Sequence, residues 1–196
     1  TNMASVWTTR QKILGNLLPG IPALGAALWA YYHWLPQGRI VALLMMAVVA
    51  TGVQLVALNY LGFVGNARMR AQIAKKHGLY PSQGFFVGYA PEGYVDIWDT
   101  HKDIGFLILQ AEGLVFRGDT ESFVIPWSEI LSVELRKNVH STVGLGGWVW
   151  VRTAQGAFGI EPRTRPTLLA SKKDRPEILG QIQKYVSPQA AVPGGF

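Results

Sequence analysis

The sequence predicts a membrane α-hairpin followed by a small, mainly β domain. Two long uncharged stretches near the start of the chain predict two transmembrane helices. Beyond them, short alternating β-rich runs separated by turn residues, and then one amphipathic helix, predict a bent antiparallel sheet or barrel with a C-terminal capping helix. We expect the hairpin and a basic connector over residues 1–79, the cytoplasmic β domain over 80–186 and an extended tail over 187–196.

The first apolar stretch runs from Ile13 to Leu35 and the second from Ile40 to Val64, and neither contains a charged residue. A helix needs about 20 residues to cross the hydrocarbon of a bilayer, so each stretch suffices for one span. Residues 36–39 between them contain Pro36 and Gly38, which are typical of a tight turn. A cleaved signal peptide is the alternative for the first stretch, but the apolar core is too long and no small-residue cleavage pattern follows it.

Charge predicts the orientation of the hairpin. Residues 1–79 contain seven basic side chains and no acidic one, whereas the remainder contains eleven basic and twelve acidic side chains. All but one of those seven flank the outer ends of the spans, and the exception, Arg39, lies in the turn. By the positive-inside rule, both termini and the β domain are expected on the cytoplasmic side of a bacterial inner membrane. The nearly neutral β domain has no basic stripe, which argues against nucleic-acid binding.

Several residues are expected to hold the hairpin at the membrane interface. Aromatic rings favour the headgroup level, and basic side chains are attracted to anionic headgroups. The candidate anchors are Trp29, Tyr31, Tyr32, Trp34, Arg68, Arg70, Lys75 and Lys76. The last four belong to residues 65–80, a segment with helical spacing that could continue the second span into the interface until Gly78 and Pro81 end it. His33 could ligate a tetrapyrrole or a metal, but its position among aromatic residues favours an interfacial hydrogen-bonding role.

A second set of residues in the spans is expected to contact other helices. Amide side chains hydrogen-bond between helices in membranes, and glycines let helices approach closely. The candidates are Asn16, Gly20, Gly25, Gln54 and Asn59. Pro19 and Pro22 are expected to bend the first span near its cytoplasmic end. Two helices alone bury little surface, so we expect these residues to dock on other integral membrane subunits.

The β domain is predicted from eight runs of β-forming residues. They are Phe85–Ala90, Tyr94–Trp98, Gly105–Gln110, Gly113–Gly118, Ser122–Pro126, Leu131–Lys137, Trp148–Thr153 and Ala157–Pro162. The first two runs flank a Pro-Glu-Gly turn and are expected to form a hairpin. A last helix is expected from Asp174 onwards, with Ile178, Leu179, Ile182 and Tyr185 or Val186 plugging the open end of the sheet.

The later part of this domain resembles the bacterial pleckstrin-homology-like (PH-like) domains, which are related to GRAM domains. The resemblance rests on the patterns L-x-L-x-x-E-G-L-V-F at Leu107–Phe116, I-P-W-S-E-I-x-S-V-E at Ile125–Glu134 and V-x-T-x-x-G-x-F at Val151–Phe158. It covers about residues 104–186 and implies a binding or scaffolding module beside transmembrane helices. Eukaryotic relatives bind inositol lipids through basic residues of the first hairpin, but the corresponding turn here is Ala111-Glu112-Gly113, without a basic cluster.

The sequence contains no pattern of catalytic or metal-binding residues. The absence of cysteine excludes disulfides and thiolate chemistry, and the histidines lack metal-ligand spacing. Asp96, Asp99, His101 and Asp103 crowd one stretch, which we interpret as a solvated loop. The glycines of Gly144–Gly147 suggest a phosphate loop, but a strand rather than a helix is predicted after them, so a flexible hairpin loop is expected. We therefore expect neither catalysis nor a bound cofactor.

These observations predict a non-catalytic accessory or scaffolding subunit of a larger bacterial membrane complex, with an energy-transducing complex, photosynthetic or respiratory, as a plausible host. The tail has too few apolar groups to pack by itself, so we expect Val192, Pro193 and Phe196 to contact a partner subunit. One alternative is a membrane-anchored lipid-sensing or signalling module. The other is a membrane-surface enzyme centred on the stretch from Asp96 to Asp103.

Overall fold

The structure is a computed structural model, and it describes residues 5–96, 99–138, 141 and 144–186. Helices α1 to α4 come first in the chain, seven strands follow, and helices α5 and α6 close it. The helices are α1 Thr9–Leu17, α2 Gly20–Trp34, α3 Arg39–Leu61, α4 Asn66–His77, α5 Leu168–Lys172 and α6 Asp174–Val186. The strands are β1 Phe85–Pro91, β2 Asp103–Leu109, β3 Gly113–Gly118, β4 Ser122–Pro126, β5 Ile130–Arg136, β6 Trp148–Thr153 and β7 Gly156–Pro162.

Local sequence explains where the first helices begin and end. Thr8 caps α1, because its hydroxyl accepts a hydrogen bond from the Gln11 amide. The helix is interrupted at Leu18 and Pro19, close to the predicted bend. A 3-10 turn and Gly38, which has a φ of 112°, join α2 to α3. Gly65 in the left-handed region separates α3 from α4, so the second apolar stretch does not continue as one straight helix.

Helices α2 and α3 form an antiparallel pair. Within these two helices, the buried residues are all alanines: Ala23, Ala30, Ala42 and Ala57. Small residues at a helix contact allow the two backbones to approach closely. By length and composition, both helical runs are apolar enough to cross a membrane.

The seven strands form one curled antiparallel sheet in the order β4-β3-β2-β1-β7-β6-β5, shaped as a half-barrel. The two edge strands, β4 and β5, are neighbours in the chain and are joined by a short 3-10 turn. The concave face holds the main core, which includes Leu107, Phe116, Val149 and Ile160. Helix α6 covers this core with Ile178 and Ile182, both fully buried, as the sequence predicts.

One predicted hairpin is wrong. Residues 94–96 form no strand, and residues 97–98 lie outside the described part, so the predicted run Tyr94–Trp98 does not pair with β1. The neighbours of β1 are instead β2 and β7. Strand β2 also begins two residues earlier than predicted, at Asp103. Because β1 has neighbours on both sides, it lies in the middle of the sheet.

The convex face of the sheet carries a second core. Phe86, Ile104 and Phe106 point to the side opposite Val87 and Leu107, as period-two alternation requires, and they pack with Met69 and Ile73 of α4. Ile73 is fully buried. Helix α4 therefore lies on the sheet, because its apolar face covers a strand pair that is apolar on both sides. The expectation that residues 65–80 continue the second span into the interface stays a prediction for the exposed side of α4, which carries Arg68 and Lys75.

Candidate functional site

The surface of the helix pair is the first candidate. Large apolar side chains of α2 and α3 are exposed, with fractions of 66% for Ile21, 65% for Leu24 and 75% for Ile40. Further exposed aliphatic residues are Leu28, Val41, Leu43, Leu44, Val48 and Val56, and Trp29, Tyr32 and Tyr60 are exposed as well. Monomeric soluble proteins rarely expose so large a contiguous apolar surface, and such patches mark contacts with proteins or membranes. This surface suits hydrocarbon or the side chains of other helices.

The predicted aromatic anchors lie together at the turn end of the pair. The Trp29 and His33 rings stack with centroids 5.1 Å apart, and the Trp34 ring meets that of His33 at 4.5 Å. Tyr31 and Tyr32 are also in contact, with centroids 5.6 Å apart. His33 therefore packs among aromatic rings, in the surroundings expected of an interfacial residue.

The predicted docking residues have different surroundings. No atom of the described residues comes within 4 Å of a Cβ built on Gly20 or Gly25, so both positions are open. Gln54 is half-buried. Asn59, in contrast, accepts a hydrogen bond from the Leu169 amide at 2.9 Å, and therefore binds the start of α5 within the chain. The Asn16 side chain and the tail residues Val192, Pro193 and Phe196 lie outside the described part.

Two of the four basic residues proposed as interface anchors are used inside the protein. Arg70 donates hydrogen bonds to the carbonyls of Pro81 and Thr164. Lys76 donates to the Asp119 carbonyl, and its Nζ lies 3.6 Å from the carboxylate of the same residue. Arg68 and Lys75 are exposed. The structure thus assigns Arg70 and Lys76 to fastening α4 on the sheet domain.

The start of the chain is also fastened to the sheet domain. One oxygen of the buried Asp119 carboxylate accepts hydrogen bonds from Ser5 Oγ at 2.5 Å and from the Val6 and Trp7 amides at 2.8 Å each. In α1, Lys12 Nζ lies 2.7 Å from Asp96 Oδ2. Because these contacts join residues far apart in sequence, α1 and α4 both belong to the structure of the β domain.

A buried charge cluster lies where the helices meet the sheet. His101, with 1% of its side chain exposed, has Nδ1 2.5 Å from Asp99 Oδ1 and Nε2 2.9 Å from Glu161 Oε2. The other Glu161 oxygen accepts hydrogen bonds from Asn138 Nδ2 at 2.7 Å and from the Gly147 amide at 3.1 Å. The imidazole is therefore held between two carboxylates, of which one comes from β7.

Arg163 connects this cluster to the helices. Its guanidinium lies 5.0 Å from the Trp7 ring centroid and 4.6 Å from that of Phe63, within the range of cation–π attraction. Its Nε donates to Asn66 Oδ1 at 3.3 Å, and the Asn66 amide donates in turn to the Arg163 carbonyl. Arg163 thus contacts the N-terminal segment, the end of the second apolar stretch and the start of α4.

The pKa directions agree with paired charges in this cluster. Burial lowers the pKa of His101, but the attraction of Asp99 and the hydrogen bonds to Asp99 and Glu161 outweigh it, so the pKa is raised above 6.5. Burial raises the pKa of Asp99, but His101 and Arg163 outweigh it, so the pKa is lowered below 3.8. Burial lowers the pKa of Arg163, against the attraction of Asp99 and Glu161. The cluster is therefore a set of mutually compensating charges.

The interpretation of the stretch from Asp96 to Asp103 as a solvated loop is wrong for its second half. His101 and Asp103 are buried, and Asp103 accepts hydrogen bonds from the Thr120 and Glu121 amides at 2.9 and 2.8 Å. The Gly144–Gly147 segment was likewise expected to be a flexible loop. It is packed instead, with Leu145 against Phe63 and Leu168. The sequence does contain a signal for the burial of Asp103, because this residue directly precedes an apolar β run.

The buried charge cluster of Asp99, His101, Glu161 and Arg163 forms a structural junction between the helices and the sheet. Among the described residues, no group of three or more His, Asp and Glu side chains is arranged to hold a metal ion. Glu161 and Asp99 orient the imidazole, and neighbouring contacts from the Gly147 amide and Arg163 occupy the space around them. The arrangement can lock the helices on the sheet. No protein-family model matches the chain, and no curated protein matches it either.

Proposed function

We propose that the chain is a non-catalytic accessory subunit of a larger bacterial membrane complex, with both termini and the sheet domain on the cytoplasmic side. The observation that carries the proposal is the helix pair α2–α3. This pair buries alanines and exposes its large apolar side chains, whereas the sheet domain is folded around its own buried core. Such a helix pair needs an apolar environment that the rest of the described chain does not provide.

The length of α3 supports a membrane environment. Its 23 residues correspond to about 35 Å of helix, slightly more than the roughly 30 Å of bilayer hydrocarbon. In the most apolar window of each helical run, only 18% and 11% of the residues are buried. A core helix of a soluble protein would instead have most of its apolar residues covered.

The open position at Gly25 supports a partner within the membrane. Gly25 is exposed and a Cβ built there meets nothing within 4 Å, so a neighbouring helix can approach this face of α2 closely, and close approach is what drives helix association in lipid. Lipid chains alone would gain less from such a face than a second rigid helix does. We therefore assign this side of α2 to contact with another integral membrane subunit.

The junction supports a scaffolding role. Asp119, Arg163 and Asn66 bind the N-terminal segment and α4 to the sheet, so buried hydrogen bonds connect the sheet domain to the helices that continue into the hairpin. We also infer that the sheet belongs to the PH-like kind, an inference supported by seven antiparallel strands followed by a capping helix. An energy-transducing complex, photosynthetic or respiratory, is the host we propose.

Crosslinking in native membranes, followed by mass spectrometry and native electrophoresis in mild detergent, tests this proposal. We expect the chain to migrate with other integral subunits and to crosslink to them through α2. Gly25→Leu should release the chain from the assembly, whereas the matched Gly180→Leu in α6, where an added Cβ also meets nothing within 4 Å, should not. Migration of the native chain alone, with no crosslinked membrane neighbour, would overturn the proposal.

A further inference from the structure

A groove runs between α1 and α4, on the side of the molecule where the two apolar stretches leave the sheet domain. Its volume is about 440 Å³, within the range of roughly 300–1,000 Å³ that is usual for ligand sites. Arg10 and Arg68 lie on its two walls. The hydrogen bond from Gln11 Nε2 to the Val64 carbonyl, 3.0 Å long, joins the α1 side of the groove to the segment before α4. The groove is thus a built feature of the helix junction.

The charged side chains that line the groove are all positive. Both arginines are exposed, and none of the described residues that line the groove is acidic. The acidic side chains of the chain all lie beyond residue 79, and Asp119, which binds the N-terminal segment nearby, is itself covered by the Ser5, Val6 and Trp7 contacts. Helix α1 also begins here, so its N-terminal amides add partial positive charge. An anion is the complementary ligand.

The lining changes character along the groove. Polar and basic residues of the first turn of α1 and of α4 occupy one part, whereas Leu14, Leu18 and Val64 occupy another. The positions of these three residues coincide with the predicted start of the first span and the predicted end of the second. The groove therefore crosses the level at which phosphate headgroups pass into glycerol and acyl chains.

We propose that this groove binds the headgroup of an anionic phospholipid, with Arg10 and Arg68 on the phosphate and the leucines beside the acyl chains. The inference rests on the membrane placement of the proposed function and adds a specific lipid ligand. It differs from inositol-lipid binding through a first β hairpin, because the groove lies on the helices and not on the sheet. Guanidinium groups suit the ligand, since each can donate two parallel hydrogen bonds to phosphate oxygens.

The test uses the full chain in nanodiscs of dioleoylphosphatidylglycerol, of dioleoylphosphatidylcholine, or of an equal mixture. Native mass spectrometry after transfer to mild detergent counts the lipids that stay bound. We expect one phosphatidylglycerol to be retained over phosphatidylcholine. In the variant Arg10→Gln/Arg68→Gln, the preference should fall about thirty-fold, as expected for two basic residues near an anionic headgroup.

The matched control is Arg39→Gln/Lys75→Gln, which removes the same charge outside the groove and should keep the preference. An equal loss in both variants would overturn the proposal, because it would indicate general electrostatic attraction. Displacement of phosphatidylglycerol by millimolar inorganic phosphate or glycerol 3-phosphate would also overturn it, since the site would then recognise a free phosphate. Far-ultraviolet circular dichroism of each variant excludes unfolding as the cause of a loss.

The nanodisc experiment and the crosslinking in native membranes together separate this inference from the proposed function. A chain that crosslinks to membrane subunits but shows no lipid preference would lack the lipid site and keep the proposed function. A chain that retains phosphatidylglycerol through Arg10 and Arg68 but has no membrane neighbour would keep the site and lose the subunit assignment.

Discussion

The helix pair and the sheet domain use apolar residues in opposite ways. Helices α2 and α3 bury alanines such as Ala30 and Ala42, both at 0% exposure, and leave residues such as Leu24 outside. The sheet buries its largest apolar side chains, among them Phe86 and Phe116, at 0% and 1% exposure. Water drives the second pattern, because burial of apolar area is favourable only when water is the alternative. The contrast teaches that the sheet domain encloses its large apolar side chains whereas the helix pair does not, which is the pattern that the proposed membrane placement requires.

The first prediction tests this comparison by replacing one large apolar side chain with alanine in each region. Phe116→Ala removes a buried ring from the core between the sheet and α6, and we expect it to lower the free energy of unfolding by about 3–5 kcal/mol. Leu24→Ala removes exposed atoms and should change that free energy by less than about 0.5 kcal/mol. Urea unfolding of the full chain in mild detergent, followed by tryptophan fluorescence, gives both values.

A comparable loss in the two variants would contradict the contrast. It would place Leu24 in a packed core and remove the argument that α2 faces an apolar environment outside the chain.

The second prediction sharpens the comparison within the helix pair. Ala42→Phe forces a ring into a contact sized for a methyl group, and we expect it to destabilise the pair by about 1–3 kcal/mol. Leu44→Phe introduces the same ring at a position that is 62% exposed, and should be tolerated. Resistance to unfolding by sodium dodecyl sulfate, followed by circular dichroism, measures the difference. Equal sensitivity of both variants would contradict the alanine contact.

The smallest expected effect is a pH dependence of the junction. Since the pKa of His101 is raised in the folded chain, its contribution to stability is fully present below about pH 6.5 and is lost as the pH rises through the folded value. The pKa of Asp99 is lowered, so its contribution is present above pH 3.8 and is lost as the pH falls through the folded value. The paired charges therefore stabilise the junction most between these two limits.

Melting temperatures of the full chain between pH 6 and 9 test this prediction. We expect the melting temperature to fall as the pH rises through the folded pKa of His101, and His101→Gln to flatten that slope. His33→Gln, which changes an exposed ring at the far end of the hairpin, is the control and should keep the slope. An unchanged slope in His101→Gln would contradict the assignment of the pH dependence to this cluster.

Sequence patterns predicted the elements whose signals are local. The bounds of β3, β4 and β6 match the predicted runs, because each is a short run rich in β-branched and aromatic residues and is flanked by turn residues. The run Tyr94–Trp98 looked equally strand-like, yet β1 pairs elsewhere. A strand propensity does not specify a partner, and here β2 and β7 supply better-matched neighbours.

The junction could not be predicted in the same way. Asp99 is only two residues from His101, but Glu161 meets them because β1, β2 and β7 are adjacent in the folded sheet, and no spacing in the sequence encodes that second contact. Asp119 and Trp7 are similarly distant. The sequence predicts part of the groove lining, since Arg10 and Arg68 flank the two apolar stretches. Their placement on facing sides of the groove depends on the left-handed turn at Gly65.

The position of α4 decides where the polypeptide can be cut. A fragment starting at residue 80 would leave Phe86, Ile104 and Phe106 uncovered, because Met69 and Ile73 shield them in the intact protein. A recombinant piece meant for crystallisation or binding assays therefore has to include α4, and Trp7 of the same cluster places the segment before α1 in it as well. Shorter versions are expected to aggregate through bared aromatic side chains.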